Sequence, residues 1–200
     1  MSELMVDFIT SLDGYAAADG WPGWWGLEGP EYLRWLDTQP EGAYAILMGR
    51  RTYELMSGFA ASGADGFDAL TNARKLVCSS SMAEPPTWAN TEVIAGDAVR
   101  AVGDLKRVDG PGLRTIGSLS LCRSLLAAGL VDRFRVVVFP VITGRTGLEP
   151  VYAGYPDVAL ELINARTFDG RLQLLDYRPT VLDGPPRPSP RRAQGSRAVG

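Results

Sequence analysis

The chain has 200 residues and a formal charge of −3, with 46% hydrophobic residues, 22% charged residues, two cysteines and no histidine. Without histidine there is no Ser-His-Asp triad, no Cys-His pair, no imidazole acid or base and no histidine-ligated metal. Cys78 and Cys122 are too few for a four-thiolate zinc site or a disulfide-dense scaffold.

Leu4–Ser11 reads as a strand broken by Asp13-Gly14, and a Gly- and Trp-rich loop follows to Gly29. Pro30–Thr38 reads as a helix with proline in its first turn. Ala43–Met48 is a short apolar strand ending at Gly49, and two helical turns run from Arg51 to Ser57. Lys75–Ser79 and Glu92–Ala95 are strands, and Asp97 caps a helix to Val108. Leu113–Gly117 is a strand, Ser118 caps a helix with Leu121, Cys122, Leu125 and Leu126 inward, and Gly129 stops it. Arg133–Val141 is a β-branched run. Val158–Thr167 and Arg171–Thr180 flank Asp169-Gly170, a tight-hairpin signal. Alternating β and α units with a final hairpin predict a single three-layer α/β domain, its sheet mostly parallel with an antiparallel C-terminal hairpin.

Residues 183–200 carry four prolines and four arginines against one aspartate, and read as a disordered tail after a domain ending at 182. The start lacks the basic and apolar regions of a signal peptide. The longest apolar run, Val136 to Ile142, is far too short to span a membrane. The cytoplasm is the expected compartment, and neither membrane nor nucleic acid is an expected partner.

No G-x-G-x-x-G, P-loop or G-x-S-x-G pattern is present. Three strand ends nevertheless suit phosphate, since ligands of open α/β sheets sit at the carboxyl ends of strands. At Gly49-Arg50-Arg51-Thr52, a glycine precedes a helix start with adjacent cations, although both arginines are equally explained as solvated side chains. Ser79-Ser80-Ser81 offers hydroxyls and amides, with Arg74 or Lys75 as the charge; a polar turn is the plainer explanation. At Gly117-Ser118-Leu119-Ser120 a helix again follows glycine, as an ordinary Ser-capped helix also would.

Together these segments resemble the dihydrofolate-reductase-like reductases, which include the reductase domain of the bacterial riboflavin-pathway deaminase-reductase. The matching pieces are Ser11-Leu12-Asp13-Gly14, Leu47 to Glu54, Ser79-Ser80-Ser81, Leu125 to Asp132, Phe139 to Gly144 and Phe168-Asp169-Gly170. They run in order through residues 3–180. The resemblance implies an NADPH-dependent reductase, with Gly49, Arg50, Arg51 and Thr52 along the pyrophosphate. It also implies Ser79, Ser80 and Ser81 near the adenosine 2′-phosphate, and Gly117, Ser118, Leu119 and Ser120 on the other side of the pyrophosphate. The chain departs from the family at Gly117-Ser118, where a Gly-Gly pair is usual. It departs again at Pro30-Glu31-Tyr32-Leu33-Arg34-Trp35, where folate reductases carry an acid at the place of Tyr32.

Trp24 and Trp25, in a segment with Pro22, Gly23 and Gly26, suit a lid over a planar substrate, with packing against the sheet or a partner subunit as the plainer alternative. The proton for reduction is left open among Asp13, Glu31, Tyr32 and water. Asp13 is also explained as a turn residue, and both cysteines as buried small hydrophobes. The expected function is hydride transfer from NADPH to a small planar, pteridine- or pyrimidine-like substrate, with a homodimer admitted. Reduction of the ribosylaminopyrimidine intermediate of riboflavin synthesis is the narrower alternative. A non-catalytic nucleotide-binding or regulatory protein on the same fold is the other.

Overall fold

The computed structural model describes residues 1–21, 25–63, 67–82 and 85–186. In chain order its elements are β1 (Leu4–Ser11), β2 (Tyr15–Ala18), α1 (Pro30–Thr38), β3 (Ala45–Gly49), α2 (Arg50–Ala61), α3 (Asp68–Asn72), β4 (Lys75–Cys78) and β5 (Thr91–Ile94). There follow α4 (Ala98–Arg107), β6 (Leu113–Thr115), α5 (Leu119–Ala127), β7 (Arg133–Phe139), β8 (Gly147–Pro150), β9 (Val158–Phe168) and β10 (Leu172–Val181). The main sheet has eight strands in the order β5-β4-β3-β6-β1-β7-β10-β9. The first six are parallel, and β10 and β9 add on antiparallel to their neighbours. This is the mostly parallel sheet with an antiparallel hairpin that the sequence predicts. Asp169 and Gly170 sit at φ +51° and +66°, and the Arg171 amide closes the turn onto the Phe168 carbonyl at 2.9 Å. Two consecutive left-handed residues make the turn whose twist matches a hairpin.

Helices cover both faces. Val102 of α4 and Leu121, Cys122, Leu125 and Leu126 of α5 pack on Val6, Phe8, Leu47, Leu76, Phe134 and Val136. The opposite face carries α1, α2 and α3. There Tyr32, Trp35 and Leu36 pack on Val137, Phe139, Leu172 and Leu174, while Tyr53, Met56 and Leu70 pack on Ile46, Met48 and Val77. These two clusters are separate. Between them β1 and β6 present Asp7 and Arg114, charged residues in central strands that would otherwise read as near-continuous apolar runs.

The rest of that charge is spoken for. Arg135, 2% exposed, holds Asp7 through two nitrogens at 3.1 and 2.6 Å and the Gln39 carbonyl at 2.6 Å. Its guanidinium lies 4.8 Å from the Trp35 ring centre. Arg133 pairs with Asp176, with Glu41 at 2.8 Å and with Glu3 at 3.3 Å. Burial would raise the Glu41 carboxyl, but a backbone hydrogen bond and the two arginines hold it below its ordinary value. The network ties the segment after α1 to β1, β7 and β10, and removing one partner of such a buried pair costs about 3–5 kcal/mol.

Several expectations need correction. Ser118 is the N-cap residue of α5 but stands in the left-handed region at φ +62°, and its hydroxyl does not cap its own helix. Lys75 is fully buried at the amino end of β4. Its Nζ donates to the carbonyls of Leu70, Thr71 and Ala73 at 2.7, 3.0 and 2.7 Å, closing the end of α3, and lies 4.6 Å from the Trp88 ring centre. Arg74 makes a two-point pair with Glu92 at 3.0 Å. Neither cation can reach the serines past the far end of β4, the first of which is four residues, about 13 Å, along the strand from Lys75. The α2 helix is longer than expected. The ribbon β2–β8 and the short α3 have no counterpart in the sequence reading.

Candidate active site

Because six strands are parallel, their carboxyl ends gather at one edge, and the turns after β1, β3, β4, β6 and β7 lie there together. Four predicted segments, Ser11 to Gly14, Gly49 to Thr52, Ser79 to Ser81 and Gly117 to Ser120, therefore share one end of the sheet.

The starts of α2 and α5 meet through Ser118. Its Oγ accepts the Gly49 amide at 2.7 Å and lies 2.9 Å from Thr52 Oγ1. Gly117 stands at φ +54°, and a Cβ there would come within 3.1 Å of Thr52 Oγ1, so a side chain is both strained and crowded. Gly49 differs: its φ is −85°, and a Cβ would meet only ordinary contacts with Ser118 at 3.6 Å or more. Its smallness matters only to what approaches from outside. Neither α2 nor α5 has a side-chain N-cap hydrogen bond. The amides of Arg50, Arg51 and Thr52, and of Leu119, Ser120 and Leu121, are the orphan donors of these two helices. Leu119 turns its side chain into the core, so only its backbone faces this edge; Ser120 is exposed.

The Ser79–Ser81 turn is joined to this pair by a cation. Arg50 donates to the carbonyl and hydroxyl of Ser81, both at 3.2 Å, and pairs with Glu54 at 3.0 Å. The Ser81 amide donates to Ser79 Oγ at 3.2 Å, and Ser80 is exposed. Arg51 is exposed and makes no side-chain hydrogen bond or ion pair among the described residues. Arg50 thus takes the place that the sequence reading gave to Arg74 or Lys75.

The three acid candidates have other partners. Asp13 Oδ1 accepts from Thr143 N at 3.2 Å and Oδ2 from Gly144 N at 2.8 Å, clamping the turn after β1 to the turn after β7. The Ser11 hydroxyl and these amides hold its carboxyl down at about 2, so it is ionised and has no proton to give near neutral pH. Glu31 and Asp169 cap α1 reciprocally. Asp169 accepts from the amides of Glu31 and Tyr32 at 3.0 and 3.1 Å, and Glu31 accepts from the Asp169 amide at 2.8 Å. Gly29 has to be small here, since a Cβ would fall 2.2 Å from Asp169 Cγ. Tyr32 is 1% exposed and walled by Trp35, Phe139 and Phe168. Burial, with Asp7 and Glu28 adding to it, pushes its phenol well above the ordinary value.

Tyr32 packs on the carboxyl end of β7 through Phe139 and lies within the field of four charged side chains. Asp7, Glu28, Arg114 and Arg135 all act on its hydroxyl. Among the described residues, Trp25 Nε1, Glu28 Oε2 and Arg114 Nε are buried polar side-chain atoms without a hydrogen-bond partner, as are Thr10 Oγ1 and the Tyr155 hydroxyl. Trp25 stands at φ +42°, a conformation rare for a bulky residue, with its ring 5.5 Å from Phe139. Trp25 is thus a packed wall residue; Trp24 lies outside the described residues. Asp7, Glu28 and Arg114 were not singled out from sequence, and Asp169 only as a hairpin-turn residue. Charges at alternate positions inside the strand patterns Leu4–Ser11 and Leu113–Gly117 were the available signal. Burial pushes the thiols of Cys78 and Cys122 up to about 11 and about 12, so neither is a nucleophile at neutral pH. No group of three or more potential metal ligands occurs among the described residues, and no helix there is long and apolar enough to cross a membrane.

The three layers and the gathered strand ends define a protein of the dihydrofolate-reductase-like class. The fold recurs in many solved structures, three of which serve as comparison. A protein ascribed to riboflavin biosynthesis from a Shewanella species has a TM-score of 0.71 at 20% identity, covering 89% of this chain and 99% of that one. A pyrimidine reductase-like protein of Corynebacterium diphtheriae has a TM-score of 0.61 at 15% identity, covering 90% and 92%. The Thermotoga maritima diaminohydroxyphosphoribosylaminopyrimidine deaminase/5-amino-6-(5-phosphoribosylamino)uracil reductase has a TM-score of 0.61 at 17% identity, covering 90% of this chain and 57% of that one. In sequence the chain is 24% identical over 187 residues to the uncharacterized protein YyaP of Bacillus subtilis, covering 87% of this chain and 93% of that protein. The chain belongs to the RibD C-terminal domain family, whose model matches residues 2–174.

Proposed function

We propose that the protein is an NADPH-dependent reductase that transfers a hydride to a small planar heterocycle of the pyrimidine or pteridine kind. The observation that carries this reading is the meeting of two helix starts without side-chain caps, beside a turn of three serines reached by Arg50. Orphan amides at helix N-termini are ready donors for an anion, and two such sets facing one spot suit a diphosphate. Arg50 with Ser79, Ser80 and Ser81 would hold the 2′-phosphate that separates NADPH from NADH. Thr52 and Ser118 would set the spacing between the two helix starts. When bound, the cofactor supplies the hydride.

The acceptor ring would lie over the carboxyl half of β1, beside the strand-end turns, with Trp25 and Tyr32 as walls that exclude water. Asp13 and Glu31 hold turns and helix ends together, so the proton comes from water. Membership in the RibD C-terminal domain family and the uracil reductase activity ascribed to the Thermotoga relative support a pyrimidine as acceptor. The test is oxidation of NADPH by the purified protein against a panel of pyrimidines and pteridines, with the ribosylaminopyrimidine of riboflavin synthesis among them. Consumption of NADPH that depends on one ring type is the expected result. Saturable NADPH binding with no turnover on any ring would instead make the protein a nucleotide-binding module.

A further inference from the structure

The C-terminal hairpin has two unlike faces. In the β9–β10 register Val158, Leu160 and Leu162 stand opposite Val181, Pro179 and Tyr177, and directly opposed residues share a face. The row continues through Ala165–Leu175 and Thr167–Gln173, and none of its side chains is charged. The other face carries Glu161 and Arg178, paired at 2.9 Å, and Arg166, whose guanidinium lies 4.4 Å from the Phe168 ring centre. An antiparallel sheet normally turns its polar face to water and covers its apolar one. Here the apolar face is open: Leu160, Leu162 and Val181 are 46%, 54% and 37% exposed. Leu175 and Tyr177 pair with Val136 and Phe134 of β7, so this is the side of the sheet that carries α4 and α5. The cluster beneath those helices takes in only Val158 from the hairpin.

β9 is also the outer strand of the sheet, eleven residues long with neither lysine nor proline along it. Lysine, proline and short length are the usual guards of an exposed edge. Its one irregularity is the bulge between Leu162 and Asn164. Residues 183–200, which follow β10, hold three apolar side chains apart from proline, too few to cover such a face. A face without charge has no pattern of signs for a partner to match, so it complements itself. Isologous packing about a two-fold axis then closes at two copies.

We propose that two copies of this chain pack hairpin on hairpin through the uncharged face, with Leu160, Leu162 and Val181 at the centre of the interface. Glu161 and Arg166 lie on the opposite face, outside the contact. Two strands about 4.8 Å apart and about ten residues long offer a face of about 33 by 10 Å, at the low end of interface sizes. The dimer therefore dissociates on dilution.

Sedimentation velocity of the full-length protein, from low-micromolar to submillimolar concentration, tests this. A shift from one copy to two along that range is expected. Leu162→Glu should weaken association by about a hundredfold or more, since the two-fold axis sets two carboxylates in an apolar interface. Val181→Lys, at another point of the same face, should weaken it as well. Both positions are partly open to water, so thermal unfolding at the lowest concentration should match the parent; where one variant unfolds, the other decides. Arg166→Glu, on the opposite face, should associate as the parent does. A parent protein of one copy at every concentration would overturn the proposal, as would a dimer that persists in the folded Leu162→Glu or Val181→Lys protein. Loss of the dimer in Arg166→Glu alone would also overturn it, and would indicate edge-to-edge pairing of β9.

Discussion

Two kinds of helix start occur in this molecule. At α4, Asp97 accepts the amides of Val99 and Arg100 at 3.0 and 3.1 Å. At α1, Asp169 does the same from 138 residues away for Glu31 and 137 for Tyr32. At α2 and α5 no side chain caps the helix, and these two starts are the ones that face each other through Ser118. A carboxylate at a helix N-terminus stabilises it through both the orphan amides and the helix dipole. Its absence at both facing helices leaves two sets of donors for an anion that the chain itself does not provide.

The largest expected effect comes from converting one kind into the other. Ser118→Asp places a carboxylate between α2 and α5, at a left-handed position that aspartate tolerates. The protein should fold with unchanged or raised stability, while NADPH affinity falls by roughly a hundredfold or more, since like charges in contact cost several kcal/mol. Nicotinamide fluorescence titration together with thermal unfolding separates the two effects. Arg50→Ala should weaken NADPH by about 1.5–3 kcal/mol, the value of a hydrogen bond to a charged group. The loss should be smaller for NADH, which lacks the 2′-phosphate.

Removing a cap from the other pair should do the reverse. Asp97→Ala and Asp169→Ala are each expected to lower stability by about 0.5–2 kcal/mol in denaturant unfolding, with NADPH affinity unaltered. Of the two, Asp169→Ala should cost more, because it also strands Glu31, whose carboxylate accepts the Asp169 amide in a geometry the shortened residue no longer fixes.

The smallest effect is in acid. The Asp13 carboxyl lies below its ordinary value of 3.8, at about 2. A carboxyl depressed in the folded state contributes stability above its unfolded value and loses it as pH falls through the folded one. The stability difference between the parent and Asp13→Asn should therefore be constant above about pH 4 and vanish toward about pH 2, as read from thermal unfolding across that range.

The fold was largely legible because its strong signals are local. Pro30 at a helix start, Asp97 before an amphipathic run and Asp169-Gly170 between β-rich segments each determine a short stretch of backbone by their own chemistry. The ribbon β2–β8 escaped because it pairs segments more than a hundred residues apart with no periodic pattern to mark either one. The site was legible at its edge and obscure at its centre. Gly49, Thr52, Gly117 and Ser118 announce a strand-end cluster, but nothing local tells that Ser118 would bond the Gly49 amide instead of capping α5. Lys75 looks like a phosphate ligand in sequence, and only the return of α3 shows that its charge closes a helix. Asp169 reads as a hairpin residue, and its role as the cap of α1 depends on a contact no local rule contains.

The central claim is that the facing starts of α2 and α5, with Arg50 and the serine turn, hold a phosphorylated dinucleotide. Titration of the purified protein with NADPH and NADH, followed by nicotinamide fluorescence, tests it most directly. The account predicts saturable binding of both, with NADPH the tighter and its advantage reduced in Arg50→Ala. Equal affinities in the parent protein, or no saturable binding of NADPH, would contradict it.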